Sequence, residues 1–164
     1  MNRTKNYSFH YKREAQPDPI YKSRIVQMIY QRLMRNGKKK LAYKIVQKSL
    51  THIRAQTQLD PLLILEKAIR YTTPSVEIQM RRIGGAVYPV PKELTFERGL
   101  PQALRWIFQA AKKRPGSMLY INLANEFIDA SKKLGTAFRK KEEVHKIAEA
   151  NGRVKRKKKH KQRN

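Results

Sequence analysis

Apolar residues recur at helical spacing along most of this chain of 164 residues, and the pattern breaks only once into a period of two. That combination restricts the fold to a helical body carrying one short piece of β-structure. Ile25, Val26, Ile29, Tyr30, Leu33 and Met34 fall at i, i+1, i+4 and i+5. They predict a first helix from about Ile20, stopped by Asn36-Gly37. A second helix opens at Lys38, Lys39 and Lys40, with Leu41, Ile45, Val46, Ser49, Leu50 and Ile53 as its stripe. Asp60-Pro61 reads as an N-cap followed by a first-turn proline. The third helix then runs through Leu62, Leu65, Ala68 and Ile69 to about Thr72, and Pro74 stops it.

At Ser75 the period changes. Val76, Ile78 and Met80 alternate with Glu77, Gln79 and Arg81. Gly84-Gly85 suits a tight turn with positive φ, and Val87, Tyr88 and Val90 continue beyond it. This is a β-hairpin over about residues 75–90, with Pro89 and Pro91 expected to limit its second strand. A lone hairpin is marginal in water, so it must lean on the helices or on a partner. A fourth helix is predicted from Pro101 through Leu104, Trp106, Ile107, Phe108, Ala110 and Ala111, ending at Lys112, Lys113 and Arg114. The fifth covers about residues 117–134, with Leu119, Leu123, Phe127, Ile128 and Leu134 inward and Gly135 as its C′ residue. The sixth, about residues 138–151, is mostly charged and carries only Val144, Ile147 and Ala148 as an apolar strip. The expected fold is therefore mainly α: a six-helix bundle, one protruding β-hairpin, and basic termini prone to disorder.

The charge limits the partner. There are 38 Lys and Arg against 12 Asp and Glu, a formal net charge of +26. Such a chain repels itself unless a polyanion neutralises it, and RNA or DNA fits best. A basic arm, residues 1–16, precedes the single helical domain of residues 17–151, and Tyr7, Phe9 and Tyr11 alternate through it. Eight of the thirteen residues in the tail, 152–164, are Lys or Arg, which predicts disorder in isolation. No apolar run approaches the roughly 20 residues of a membrane span, and no signal peptide is legible.

Nothing in the chain reads as a catalytic set. Cysteine is absent, which removes thiol chemistry, disulfides and Cys-based zinc sites. Glu142, His145 and Glu149 share one helical face, but a metal would need ligands from elsewhere. The expectation is no enzyme, no metal and no cofactor. Charge alone leaves a DNA-binding or nucleoid protein open as the alternative to an RNA-binding one.

The motifs themselves go further. PDPIYKSRIV at 17–26, RNGKKKLAYKIV at 35–46, RRIGGAVYPVP at 81–91, ALRWIFQAAKKR at 103–114 and RKKEEVHKIAEAN at 139–151 occur in one order and spacing. Together they resemble the universal small-subunit ribosomal protein seven family in its bacterial and organellar form. The resemblance implies binding to the 3′ major domain of small-subunit rRNA, a role in nucleating head assembly, and a position near exit-site tRNA and mRNA. It implies rRNA contacts at Lys38, Lys39, Lys40, Arg81, Arg82, Lys112, Lys113, Arg114, Arg139, Lys140 and Lys141. Gly84 and Gly85 would form a hairpin tip near mRNA and tRNA, and His145 and Lys146 would face tRNA. The expected partners are rRNA and neighbouring proteins of the small-subunit head, with no membrane and no homo-oligomer. The location implied is the ribosome of a plastid, a mitochondrion or a bacterium. The chain departs from the family in its lysine-rich end after Asn151, in Gly99-Leu100-Pro101, which should shorten the fourth helix, and in Pro89.

Overall fold

The structure is a computed structural model that describes residues 16–83 and 85–161, with residue 83 and residues 152–161 described by backbone alone. The N-terminal arm, apart from Gln16, and the turn residue Gly84 lie outside the described residues. The elements run α1 (Arg24–Leu33), α2 (Lys39–Thr57), α3 (Pro61–Thr72), β1 (Val76–Ile83), β2 (Ala86–Glu93), α4 (Phe96–Lys113), α5 (Leu119–Ser131) and α6 (Gly135–Lys161). Among the described residues no helix is long and apolar enough to cross a membrane.

α5 is the central helix and packs against α2, α3, α4 and α6. Leu123, Ala124, Phe127 and Ala130 are buried on it, facing Leu50 and Ile53 of α2, Leu65 and Ile69 of α3, and Leu104 and Ile107 of α4 in one core. Each large side chain buried this way contributes about 1.5–3 kcal/mol. α1 joins the body through Val26 and Ile29, and its Tyr30 ring stacks on Tyr43 of α2 at 3.9 Å between centroids. α3 starts where the sequence indicates, with Asp60 Oδ1 accepting from the Leu62 N–H and Pro61 as the first residue.

Several boundaries differ from expectation. α1 begins at Arg24 rather than near Ile20. Buried Asp18 accepts from the N–H groups of Ile20 and Tyr21, and Lys22 takes φ +49°, so these residues form a turn first. α4 begins at Phe96, and Pro101 lies inside it instead of opening it. The early start follows from packing: Gly99 lies against the α3–β1 connection, where a Cβ would come within 2.7 Å of the Pro74 carbonyl oxygen. Gly135 is not the C′ residue of α5. Lys133 is, with φ +60°, while Leu134 N–H reaches the Asp129 carbonyl and Lys133 N–H the Ala130 carbonyl. This double bond pattern closes α5 one turn early, and it leaves Leu134 58% exposed instead of inward. Leu41 is exposed as well, and Ala42 takes the buried position on α2.

The hairpin is more regular than the prolines suggested. β1 and β2 pair antiparallel over eight positions, from Val76 with Glu93 to Ile83 with Ala86. Pro89 and Pro91 oppose Met80 and Ile78. Residues two apart present the same backbone edge, and counting from the closing pair both prolines fall where no ladder N–H is required. α6 continues to Lys161, ten residues past its expected end. Lys and Arg are good helix formers, and no proline follows to stop them, so one glycine costs only about 1 kcal/mol.

Candidate nucleic-acid interface

Most of the predicted cations lie on the surface as solvated charges. Lys38, Lys39 and Lys40 are exposed at the start of α2, where Lys38 is the N-cap and offers no side-chain cap. No acid occupies the first turn. Three ammonium groups therefore add to the unpaired N–H groups and the positive dipole end, an arrangement that favours an anion. Arg81 and Arg82 are exposed near the hairpin tip, on opposite faces because they are consecutive in a strand. Gly85 takes φ +85°, the positive value expected of the tight turn. Residues 80–82 and 85–88 are exposed, including Met80, Val87 and Tyr88, so this end of the hairpin stands clear of the helices.

Other cations already have partners. Arg114 donates from Nε to Oε2 of Glu126 at 2.7 Å, and its Nη2 is paired with Asp129. Glu126 is fully buried and its Oε1 accepts from the Ala137 N–H at 3.0 Å. Burial alone would lower the Arg114 pKa, but the bonds to Asp129 and Glu126 outweigh it and hold the pKa above its ordinary value. Arg114 thus joins the end of α4 to α5 and, through Glu126, to the start of α6. Lys112 and Lys113 just before it remain exposed. On α6, Lys140 pairs with Glu143 at 2.9 Å, and Arg139 and Lys146 are exposed. Lys141 donates to the Tyr71 carbonyl at 2.8 Å; burial lowers its pKa, Glu142 opposes this, and Lys133 adds to it.

His145 has a structural partner too. Its Nε2 accepts from the Ser75 N–H at 3.3 Å, which fastens the first residues of the hairpin to α6. Burial first, then Lys141, lowers its pKa, with Glu149 opposing. Lys141 and His145 are thus one helical turn apart and grip the chain on either side of Pro74. Among the described residues no group of His, Cys, Asp and Glu is placed to hold a metal.

Sequence reasoning missed the groove at the hairpin base. Arg32 from α1, Arg98 and Arg105 from α4, Val76 and Ile78 from β1, and Val144 from α6 line a cavity of about 380 Å³ beside Trp106. The only acid in its wall, Glu77, accepts a bond from Gln79 at 2.6 Å. Arg32 Nη2 donates to the Pro101 carbonyl at 3.1 Å, which crosses from α1 to α4. A signal was present: Arg98, Gln102 and Arg105 recur at i, i+4 and i+7. It stayed hidden because the expected start of α4, at Pro101, left Arg98 outside the helix.

A six-helix body, a protruding hairpin and cations collected at helix ends and in one groove define a small, strongly basic helical protein. The chain belongs to the family described as ribosomal protein S7p/S5e, whose family profile matches residues 4–152. It is 51% identical over 140 residues to the small ribosomal subunit protein uS7c of Prototheca wickerhamii, covering 85% of this chain and 90% of that protein. With the same coverage, it is 49% identical to small ribosomal subunit protein uS7 of Acaryochloris marina and 48% identical to uS7c of Chlorella vulgaris. The family match ends at residue 152, where the lysine-rich stretch begins.

Proposed function

We propose that this chain is a structural constituent of the small ribosomal subunit, in a plastid, another organelle or a bacterium. It binds the 3′ major domain of small-subunit rRNA, nucleates assembly of the head there, and lies beside exit-site tRNA and the mRNA path. Its partners are that rRNA and neighbouring head proteins. The observation that carries the reading is the groove at the hairpin base, where Arg32, Arg98 and Arg105 converge from two helices. Guanidinium groups pair with phosphate through two parallel N–H donors and stack on bases, so a cluster of arginines suits a folded RNA surface. Residues 38–40, Arg81, Arg82, Lys112, Lys113 and Arg139 extend the cationic surface beyond the groove. Arg114 and Lys141 contribute by holding their neighbours in place.

The test is a binding isotherm of the full chain on a transcript of the rRNA head domain at several salt concentrations. Each phosphate contact adds about 0.9 to the salt slope. The variant R98Q/R105Q should bind more weakly and lose about two from that slope, by the same relation. An unchanged affinity and slope would remove the groove from the interface.

A further inference from the structure

We propose that a second RNA contact exists on α2, away from the groove, and that it takes an unpaired strand by its backbone and one base. The inference rests on the RNA-binding reading above but uses none of the groove residues. Lys44, Lys48 and His52 lie four residues apart on α2, with Thr51 and Ala55 on the same face. A step of four residues rises about 6 Å, close to the separation of consecutive phosphates along one strand. Tyr120, near the start of α5, borders this row. Lys48 Nζ lies 5.4 Å from the centroid of its ring, and the His52 ring meets it edge-on at 6.5 Å.

These side chains, with Gln47, line a shallow depression of about 550 Å³ that has no carboxylate in its wall. Lys44 and Lys48 are exposed. His52 Nε2 is buried and has no hydrogen-bond partner, a polar need that the chain by itself does not meet. Charge complementarity selects the occupant. The Lys44 and Lys48 ammonium groups, with no acid in the wall, disfavour an acidic partner and attract phosphate, while the Tyr120 ring beside Lys48 offers a π-face to a base. A well-formed RNA helix would hide its bases from that ring, so the strand is unpaired here.

The full chain is titrated onto the same head-domain transcript, with chemical probing of the RNA. K44Q/K48Q should lower the salt slope by about 1.4, at roughly 0.7 per phosphate of an unpaired strand, and lose protection at one unpaired stretch, with groove-dependent protections kept. Y120L should weaken binding about tenfold at an unchanged slope, because a stacked ring releases no counterions, and Y120F should restore it. Normal slope and protections in K44Q/K48Q, with R98Q/R105Q still impaired, would overturn the second contact and leave the groove reading intact. Loss of a neighbouring protein from reconstituted particles, with the RNA parameters unchanged, would assign the patch to protein and overturn it as well. A wild-type chain that fails to bind the transcript at all would overturn both readings.

Discussion

At the scale of single residues, two buried polar contacts decide more than their exposure suggests. Glu126 is fully buried and its charge is met by Arg114 and by the Ala137 N–H. Arg114→Met would leave that carboxylate buried and unpaired. The expected loss is about 3 kcal/mol of unfolding free energy in urea, the scale of breaking a buried pair. E126Q should cost less, because it removes the buried charge instead of stranding it, although its one amide oxygen replaces only one of the two acceptors; equal losses would refute the charge argument. His145 gives a pH dependence of calculable sign. Its pKa in the folded chain lies below the ordinary value of 6.5, through burial and Lys141. The unfolded chain therefore takes up the proton first as pH falls. The stability His145 contributes is present above its unfolded pKa and is lost as pH drops through it toward the folded value. Protonation also removes the lone pair that receives the Ser75 N–H. The protection factor of the Ser75 amide, its exchange relative to the unstructured rate at each pH, should fall as pH drops below about 6.5, the unfolded imidazole pKa, and H145Q should flatten that response. A response that survives in H145Q assigns the effect elsewhere.

At the scale of elements, α4 shows packing overriding propensity. Pro101 is a natural first-turn residue, yet the helix starts five residues before it. The start is set by the close approach of Gly99 to Thr73 and Pro74, which only a residue without a Cβ permits. Ala is a better helix former than Gly by about 1 kcal/mol. Even so, G99A should lower stability, by about 1–3 kcal/mol, because the added methyl overpacks against backbone. A raised Tm for G99A would show that the α3–β1 connection yields. The hairpin makes the complementary case. Its alternation, its glycine pair and even the tolerated prolines are local, because a two-residue turn fixes which positions need an N–H. How it is held is not local: His145 and Lys141 come from about 70 residues further along.

At the scale of the whole molecule, the +26 charge divides into parts with different work. Some is internal, as at Arg114. Some lines the groove, some marks helix ends, and eight charges fall in the last thirteen residues, past the end of the family match. α6 carries its backbone helix into that segment as far as Lys161. Deleting residues 152–164 should weaken RNA binding and flatten its salt dependence while leaving the fold intact, because phosphate contacts set the slope. An unchanged slope would show that the tail meets no phosphate.

The sequence by itself determined the element types, the place of the hairpin turn, the cap at Asp60 and the excess of positive charge. Those depend on periodicity, turn chemistry and net charge, which act over a few residues or over none in particular. Only the tertiary structure decided which cations are free. Arg114 and Lys112 look alike in sequence, yet one is bound to Glu126 and the other is exposed. It also decided that Arg32, Arg98 and Arg105 share one groove, since α1 and α4 meet there through packing that no local pattern records. A charge binds RNA only if the fold leaves it without a partner and turns it outward, and that is settled by contacts between residues far apart in the chain.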